Sequence, residues 1–383
     1  MPGRVRGRAA SVTRVSVDPP FRSDIVGSFL RPESVKLARA DYELGLLDAD
    51  QLRVIENAAI VDVLGRQRDS GLRAVTDGEL RRAWWHYDFF DGLDGVSVVD
   101  SDHGIQFTGV STANKVLRVS DRIGFSSTHP FLAHYSYLHE NAPAGLLPKM
   151  TIPSPTVLHF RLDADAVTTT AYVDHEDAFD DLAAAYRDAV RAFYDAGCRY
   201  LQFDDTAWAY LCSEVELEKA AARGIRTEGL AERYAELINA SLAGKPSDMV
   251  VTTHVCRGNF RSTWISSGGY EPIAEQLLAN TDYDGYFLEY DSERAGGFEP
   301  LRFLPHGAKT VVLGLITSKS GELEDVDAIK RRIEEATEFA PLEQLALSPQ
   351  CGFASTEEGN LLTEEQQWAK VREVVAIAED VWG

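Results

Sequence analysis

The chain has 383 residues, 44% of them apolar, so it can bury a large core. Its 60 acidic against 38 basic residues give a net charge of −22, which excludes binding nucleic acid or anionic membrane by bulk electrostatics. No apolar run reaches the ~18 residues of a membrane span, and the arginines Arg4, Arg6, Arg8 and Arg14 have no secretory apolar stretch beside them.

Residues 1–19 are therefore expected to form a disordered basic arm. Cys198, Cys212, Cys256 and Cys351, widely spread and with no signal segment, read as reduced thiols of a cytoplasmic protein. The folded part should open with Asp24-Ile-Val-Gly-Ser28, a short strand. Helices are expected near Pro32–Leu46 and Asp50–Ser70. The second has Asp48 or Asp50 as a cap and Leu52, Ile55, Ala59 and Val63 at helical spacing. Leu72–Glu79 reads as a strand ending in an acid. Residues 95–147 break the rhythm. There Lys115–Ser120 alternates between turn signals, predicting an inserted β-hairpin, with helix around Phe131–His139. Lys149–Pro153 is the next strand. A long helical region then runs to Ala196, closed by Gly197 as a C′ residue. Strand Arg199–Asp204 and helix through Leu242 follow. Further strands are expected at 249–254, Gly285–Glu289, Thr310–Ile316 and Gln344–Ser348, with helices in the gaps and a last helix over Thr363–Val381.

Eight β units separated by helix imply an α/β chain folded as one (β/α)8 TIM barrel over residues 20–383, with the insertion at about 95–147. A doubly wound sheet is the alternative. No Gly-x-Gly-x-x-Gly follows the first strand, so its dinucleotide-binding form has no support.

In such barrels the chemistry sits on loops after the C-terminal ends of the strands. The residues there are Ser28, Glu79, Ser154, Asp204–Asp205, His254 with Cys256, Glu289, Thr317 with Lys319, and Cys351. In an extended chain, residues i and i+2 point to one side, so His254 and Cys256 can aim an imidazole and a thiolate at one point, which suits Zn²⁺. Each residue alone has a duller reading: a thiol beside an unrelated His, a helix cap at Asp204 or Asp205, a solvated acid at Glu289, a turn cysteine at Cys351. The barrel places them all on one rim, where His254, Cys256, Glu289 and Cys351 form an N, S, O, S set for one metal. A structural zinc site is usually richer in cysteine and closed, whereas a carboxylate ligand can give way to an incoming substrate thiolate. Trp84-Trp85-His86-Tyr87, and Trp208 with Tyr210, either line a pocket or belong to helix core. His306 precedes a strand and should lie on the opposite face.

The ordered segments Asp24–Pro32, Thr76-Asp-Gly-Glu79, Gln202-Phe-Asp-Asp205, His254-Val-Cys256, Glu289 and Ser348-Pro-Gln-Cys-Gly352 resemble the catalytic C-terminal barrel of cobalamin-independent methionine synthase. The similarity runs from about residue 20 to the C-terminus. It is strongest to the short, single-barrel bacterial methyltetrahydropteroyltriglutamate–homocysteine methyltransferases. The resemblance implies a zinc-dependent S-methyltransferase of methionine biosynthesis, which methylates homocysteine. It implies zinc on His254, Cys256, Glu289 and Cys351, and the amino-acid end of homocysteine on Ser28, Glu79 and Asp204. The expected partners are a small-molecule thiol and a methyl donor, with no nucleic acid and no membrane; a homo-oligomer is left open. Physical reasoning agrees: zinc keeps a bound thiol ionised near neutral pH, a carboxylate such as Glu79 can pair with the substrate ammonium, and Ser28 at a strand-to-helix junction can help bind its carboxylate.

The chain departs from the family in three ways. Full-length members carry a second, N-terminal barrel outside these 383 residues. The family's proton-donating His is replaced in Gly314-Leu-Ile-Thr317-Ser-Lys319, so Lys319 is the candidate catalytic acid, against a solvated loop lysine. The aromatic that stacks on the pterin aligns loosely onto Phe160. The donor is thus methyl-tetrahydrofolate or methylcobalamin-like. Two other readings remain. One is a zinc-thiolate alkyltransferase of the epoxyalkane–coenzyme M type; Glu79 and Ser28 favour an amino-acid thiol over it. The other is a non-catalytic zinc-binding barrel.

Overall fold

Runs of buried, largely apolar residues such as Thr310–Ile316 and Leu345–Pro349 can satisfy their backbone only between two neighbours, as in a parallel sheet covered by helices. The computed structural model describes residues 18–383 except 102–104, 108, 113–114, 163–170 and 174. The expected N-terminal arm lies outside the described residues, apart from its last two positions. The described strands are β1 (Ala74–Val75), β2 (Asp94–Asp100), β3 (Gln106–Phe107), β4 (Val110–Ser111), β5 (Lys115–Gly124), β6 (Leu147–Pro153), β7 (Tyr200–Asp205), β8 (Val250–Val255), β9 (Gly285–Glu289), β10 (Thr310–Ile316) and β11 (Leu345–Pro349). Seven of them form one curled sheet in the order β1-β6-β7-β8-β9-β10-β11, every ladder parallel. The expected α/β barrel class is therefore correct.

The eighth stave differs from expectation. Asp24–Ser28 forms no ladder strand; the segment touches β11 through a single parallel bridge, Ser23 to Leu347. The cause is local. The Asp24 carboxylate accepts the amides of Phe21 and Ile25 and so bends the chain around itself. Side chains replace part of the missing ladder: Gln202 donates to Val26 O (2.7 Å) and Thr76 Oγ1 to Gly27 O (2.5 Å), while a backbone bond joins the Phe29 amide to Gly78 O (3.0 Å). The buried Lys149 ammonium pairs with Asp24 at 3.2 Å, and Tyr200 O–H donates to the same carboxylate at 2.8 Å.

The helices are α1 (Glu33–Glu43), α2 (Ala49–Asp69), α3 (Tyr87–Phe90), α4 (Pro130–Asn141), α5 (Pro155–Arg161), α6 (Phe179–Asp195), α7 (Ala207–Leu211), α8 (Glu214–Ala222), α9 (Leu230–Leu242), α10 (Val326–Ala336) and α11 (Glu364–Trp382). Asp48 rather than Asp50 caps α2, in a reciprocal capping box with Gln51. Gly197, at φ +100°, follows α6. The helices expected in every gap are absent in two places. One π-helical turn, Glu275–Ala279, precedes β9, and two short 3-10 turns, Glu293–Ala295 and Glu299–Phe303, precede β10. Gly268–Gly269 with Pro272, and Gly296–Gly297 with Pro300, break these connections before a full helix can form. The insertion holds the antiparallel pair β2–β5 and helix α4, as expected, with a second small pair, β3–β4, between them.

Candidate active site

Parallel register sets the rim. Asp204 at the end of β7 pairs with His254 on β8, and Glu289 at the end of β9 pairs with Gly314 on β10. Cys256 is held one residue past β8 by its amide to Asp205 O (2.9 Å), and Cys351 lies just past β11. One ligand atom from each of His254, Cys256, Glu289 and Cys351 lies within 4.8 Å of the other three, and all four residues are buried. The two sulfurs are 3.6 Å apart. Both His254 ring nitrogens and Glu289 Oε2 are buried without a hydrogen-bond partner among the described residues. Glu289 Oε1 accepts the Arg257 amide at 3.0 Å, which orients the carboxylate. Unpaired nitrogen and oxygen beside two sulfurs make a donor set that could hold a metal ion.

The charges in the cluster are interdependent. The hydrogen bond from Cys256, with His254 beside it, holds the Cys351 thiol well below its ordinary range and pushes Cys256 up. Burial drives His254 toward its neutral form, but the neighbouring Cys351 sulfur together with the Asp204 and Glu289 carboxylates raises its pKa overall. Burial also raises Glu289, with Lys319 opposing. Lys319 is not a solvated loop lysine: its buried Nζ has no hydrogen-bond partner among the described residues, and its charge acts on Glu289, Cys256 and Cys351.

Beside the cluster opens a cleft lined by Ser28, Glu79, Asp204, His254, Cys256 and Cys351 among others. Glu79 Oε1 accepts Thr151 Oγ1 (2.8 Å) and faces the Arg82 guanidinium at 3.5 Å, while Oε2 is buried without a partner among the described residues. Glu79 adopts φ +58°, a conformation disfavoured for a non-glycine residue. Burial raises its pKa against the pull of Arg82 and Arg31. Asp204 accepts Gln202 Nε2 at 2.7 Å; burial and the nearby Glu79 push it up to about 7. Asp205 is the residue with the capping role, accepting the Ala207 amide at the start of α7 (2.8 Å). Ser28 Oγ accepts the Ala354 amide at 3.3 Å.

Not every expected residue reaches the cleft. Phe160 lies apart from its lining, stacked on Tyr210 with centroids 5.1 Å apart. Trp208 is core, whereas Trp84, Trp85 and His86 do line the cleft. His306 is exposed ahead of β10. Sequence reasoning missed Arg161, Thr206 and Asn259, also in the lining. Asn259 had a signal, since it lies three residues past Cys256 on the same loop; Arg161 sits at the far end of α5 and had none.

Residues 21–380 match the family model described as "Cobalamin-independent synthase, Catalytic domain". The Bacillus subtilis (strain 168) protein YxjG, uncharacterised by name, is 53% identical over 366 residues and covers 95% of each chain. A crystal structure from Listeria monocytogenes, named provisionally as a vitamin-B12 independent methionine synthase, has TM-score 0.77 at 44% identity over 95% of this chain and 98% of that one. A methionine synthase of Pyrococcus abyssi is 22% identical over 335 residues, 88% of this chain and 87% of that protein.

Proposed function

The chain belongs to the family of cobalamin-independent synthase catalytic domains, and from that premise we propose that it is a zinc-dependent S-methyltransferase converting homocysteine to methionine. The observation that carries the reading is one cleft shared by a four-residue metal cluster and two buried carboxylates. His254, Cys256, Glu289 and Cys351 would hold the zinc, which when bound supplies a substrate sulfur kept as thiolate near neutral pH.

The remaining work falls to protein groups. Glu79 and Asp204 receive the substrate ammonium: two buried carboxylates, one with an unpartnered oxygen, form an unfavourable pair until a cation separates them. Ser28 can donate its hydroxyl proton to the substrate carboxylate, since its oxygen is already engaged as acceptor. The Lys319 ammonium partly offsets the negative charge of two thiolates and a carboxylate. It stands where the family's proton-donating His is expected, and we assign it the same proton-delivering role. The carboxylate pair also disfavours coenzyme M, which carries a sulfonate and no ammonium.

Metal analysis tests the ligand assignment. The purified protein should hold about one zinc per chain, as an open four-ligand site does. Cys256→Ser and Cys351→Ser should each lose it. Full retention in both variants would contradict the assignment.

A further inference from the structure

Helix α2 is apolar on two faces. Ala59, Ile60, Val63 and Leu64 are buried against the barrel. On the opposite side Val54, Ala58, Val61 and Gly65 form a second stripe at helical spacing, turned to solvent. Val54 is 68% exposed and Val61 49%. The outer face of a surface helix is ordinarily polar. The apolar excess is local: of the eleven large apolar side chains that stand exposed among the described residues, six lie between residues 37 and 61. Leu37, Tyr42, Leu44 and Leu46 join the two valines, all on α1, α2 or the turn between them. Gly65 adds a separate observation. Glycine weakens a helix interior relative to alanine, yet a Cβ built at Gly65 would meet nothing within 4 Å. Within one chain the residue has no packing reason. A second helix crossing close above it would supply one, because bare backbone leaves room for a partner's side chain.

The charge pattern chooses the occupant. α2 carries Asp50 in its first turn and Arg66 and Arg68 in its last, so two copies of it attract when antiparallel and repel when parallel. An antiparallel pair centred between Ala59 and Ile60 sets Val54 against the partner's Gly65 and Val61 against the partner's Ala58, large against small. Asp50 then comes beside the partner's Arg68 on one flank. Arg68 touches its neighbour Asp69 at 2.8 Å, but that contact joins two exposed side chains and holds it weakly. The six apolar side chains offer on the order of 500 Å², as much as the largest apolar patch of a typical monomer. With the charged rim, the face approaches the roughly 800 Å² per partner of a standard interface. We infer that the protein is a two-fold dimer whose interface is the antiparallel pair of α2 helices, bordered by the α1–α2 turn. The interface is independent of the methyltransferase reading, since none of its residues lines the cleft.

Sedimentation equilibrium on the full chain tests this. Wild type should be a dimer at micromolar concentration. Val61→Glu puts charge into the seam, and Gly65→Leu fills the space that Val54 of the partner subunit enters. Each should raise the dimer dissociation constant at least about tenfold, because every substitution acts twice across the two-fold axis. Circular dichroism and zinc content should match wild type in both. Asp50→Arg should weaken association by facing the partner's Arg68, and adding Arg68→Asp should restore it. Helix propensity cannot produce that recovery, since both changes oppose the dipole of α2. The charge pair also keeps the test decisive if a seam variant fails to fold. A monomeric wild type, a dimer indifferent to Val61→Glu and Gly65→Leu, or a double charge variant no better than Asp50→Arg would each overturn the inference. So would a monomer whose stripe binds a hydrophobic dye only after residues 1–17 are deleted, which would assign the face to the chain's own N-terminus.

Discussion

On the proposed reading, the two carboxyl groups of Glu79 and Asp204 decide what this cleft binds. Glu79→Gln removes the charged partner of the substrate ammonium, a hydrogen bond worth roughly 1.5–3 kcal/mol, so homocysteine affinity should fall by about one to two decades while zinc stays bound. Calorimetry with parallel metal analysis reads both; unchanged affinity would favour a thiol without an ammonium. Asp204 gives a pH dependence of known sign. Because it is pushed up to about 7, it gains a proton as pH falls through that value, and homocysteine affinity should decline there. Stability in the ligand-free protein follows the opposite course. A carboxyl whose folded pKa lies above the ordinary 3.8 costs stability as pH rises from 3.8 toward about 7. Asp204→Asn should therefore weaken homocysteine binding without lowering the ligand-free Tm above neutrality; a lower Tm would contradict the picture of a strained acid pair. At this scale the sequence was legible wherever a polar residue ended an apolar strand, which located Ser28, Glu79, Asp204, His254, Cys256, Glu289 and Cys351. It was silent on Arg31 and Thr151, which reach Glu79 from segments far apart in the chain, and on Arg82, which lies only three residues away. The φ of Glu79 was equally hidden.

Among the elements, the first stave of the barrel is the informative one. Its apolar residues mark it as a strand, but Asp24 draws nearby amides to its own side chain, and side-chain bonds replace part of the ladder. The Lys149–Asp24 pair, fully buried, is central to that closure. Lys149→Met would leave the Asp24 carboxylate buried and unpaired by a cation, a loss of about 3–5 kcal/mol. Urea denaturation should show it, and Asp24→Asn in the same chain should restore part. A loss under about 1 kcal/mol would mean that the pair does not hold the stave. Ser28 depends on this closure, since it ends the same segment. The connections before β9 and β10 misled for a related reason. Alternation of strand and helix is a good guide to topology, but glycine pairs and prolines shortened these two crossovers to turns without disturbing the parallel order.

At the scale of the molecule, barrel closure turns residues from six stretches of chain into one site. Ser28 and Glu79 come from the N-terminal quarter, Asp204 from the middle, and the metal cluster from residues 254–351. No helix among the described residues is long and apolar enough to cross a membrane. The family likeness extends over residues 21–380, so the catalytic reading applies to the whole barrel rather than to one motif. The donor is the part left to chemistry: on the proposed reading Lys319 only partly replaces the expected His as proton donor, so methyl-tetrahydrofolate should be used slowly. The direct measurement is to load the protein with zinc, add homocysteine with a CD3-labelled donor, either 5-methyltetrahydrofolate or methylcobalamin, and detect methionine by mass spectrometry. The account predicts labelled methionine from at least one donor, lost on removing zinc and in Cys256→Ser. No labelled methionine from either donor with fully loaded protein, or equal yields from metal-free protein, would contradict it.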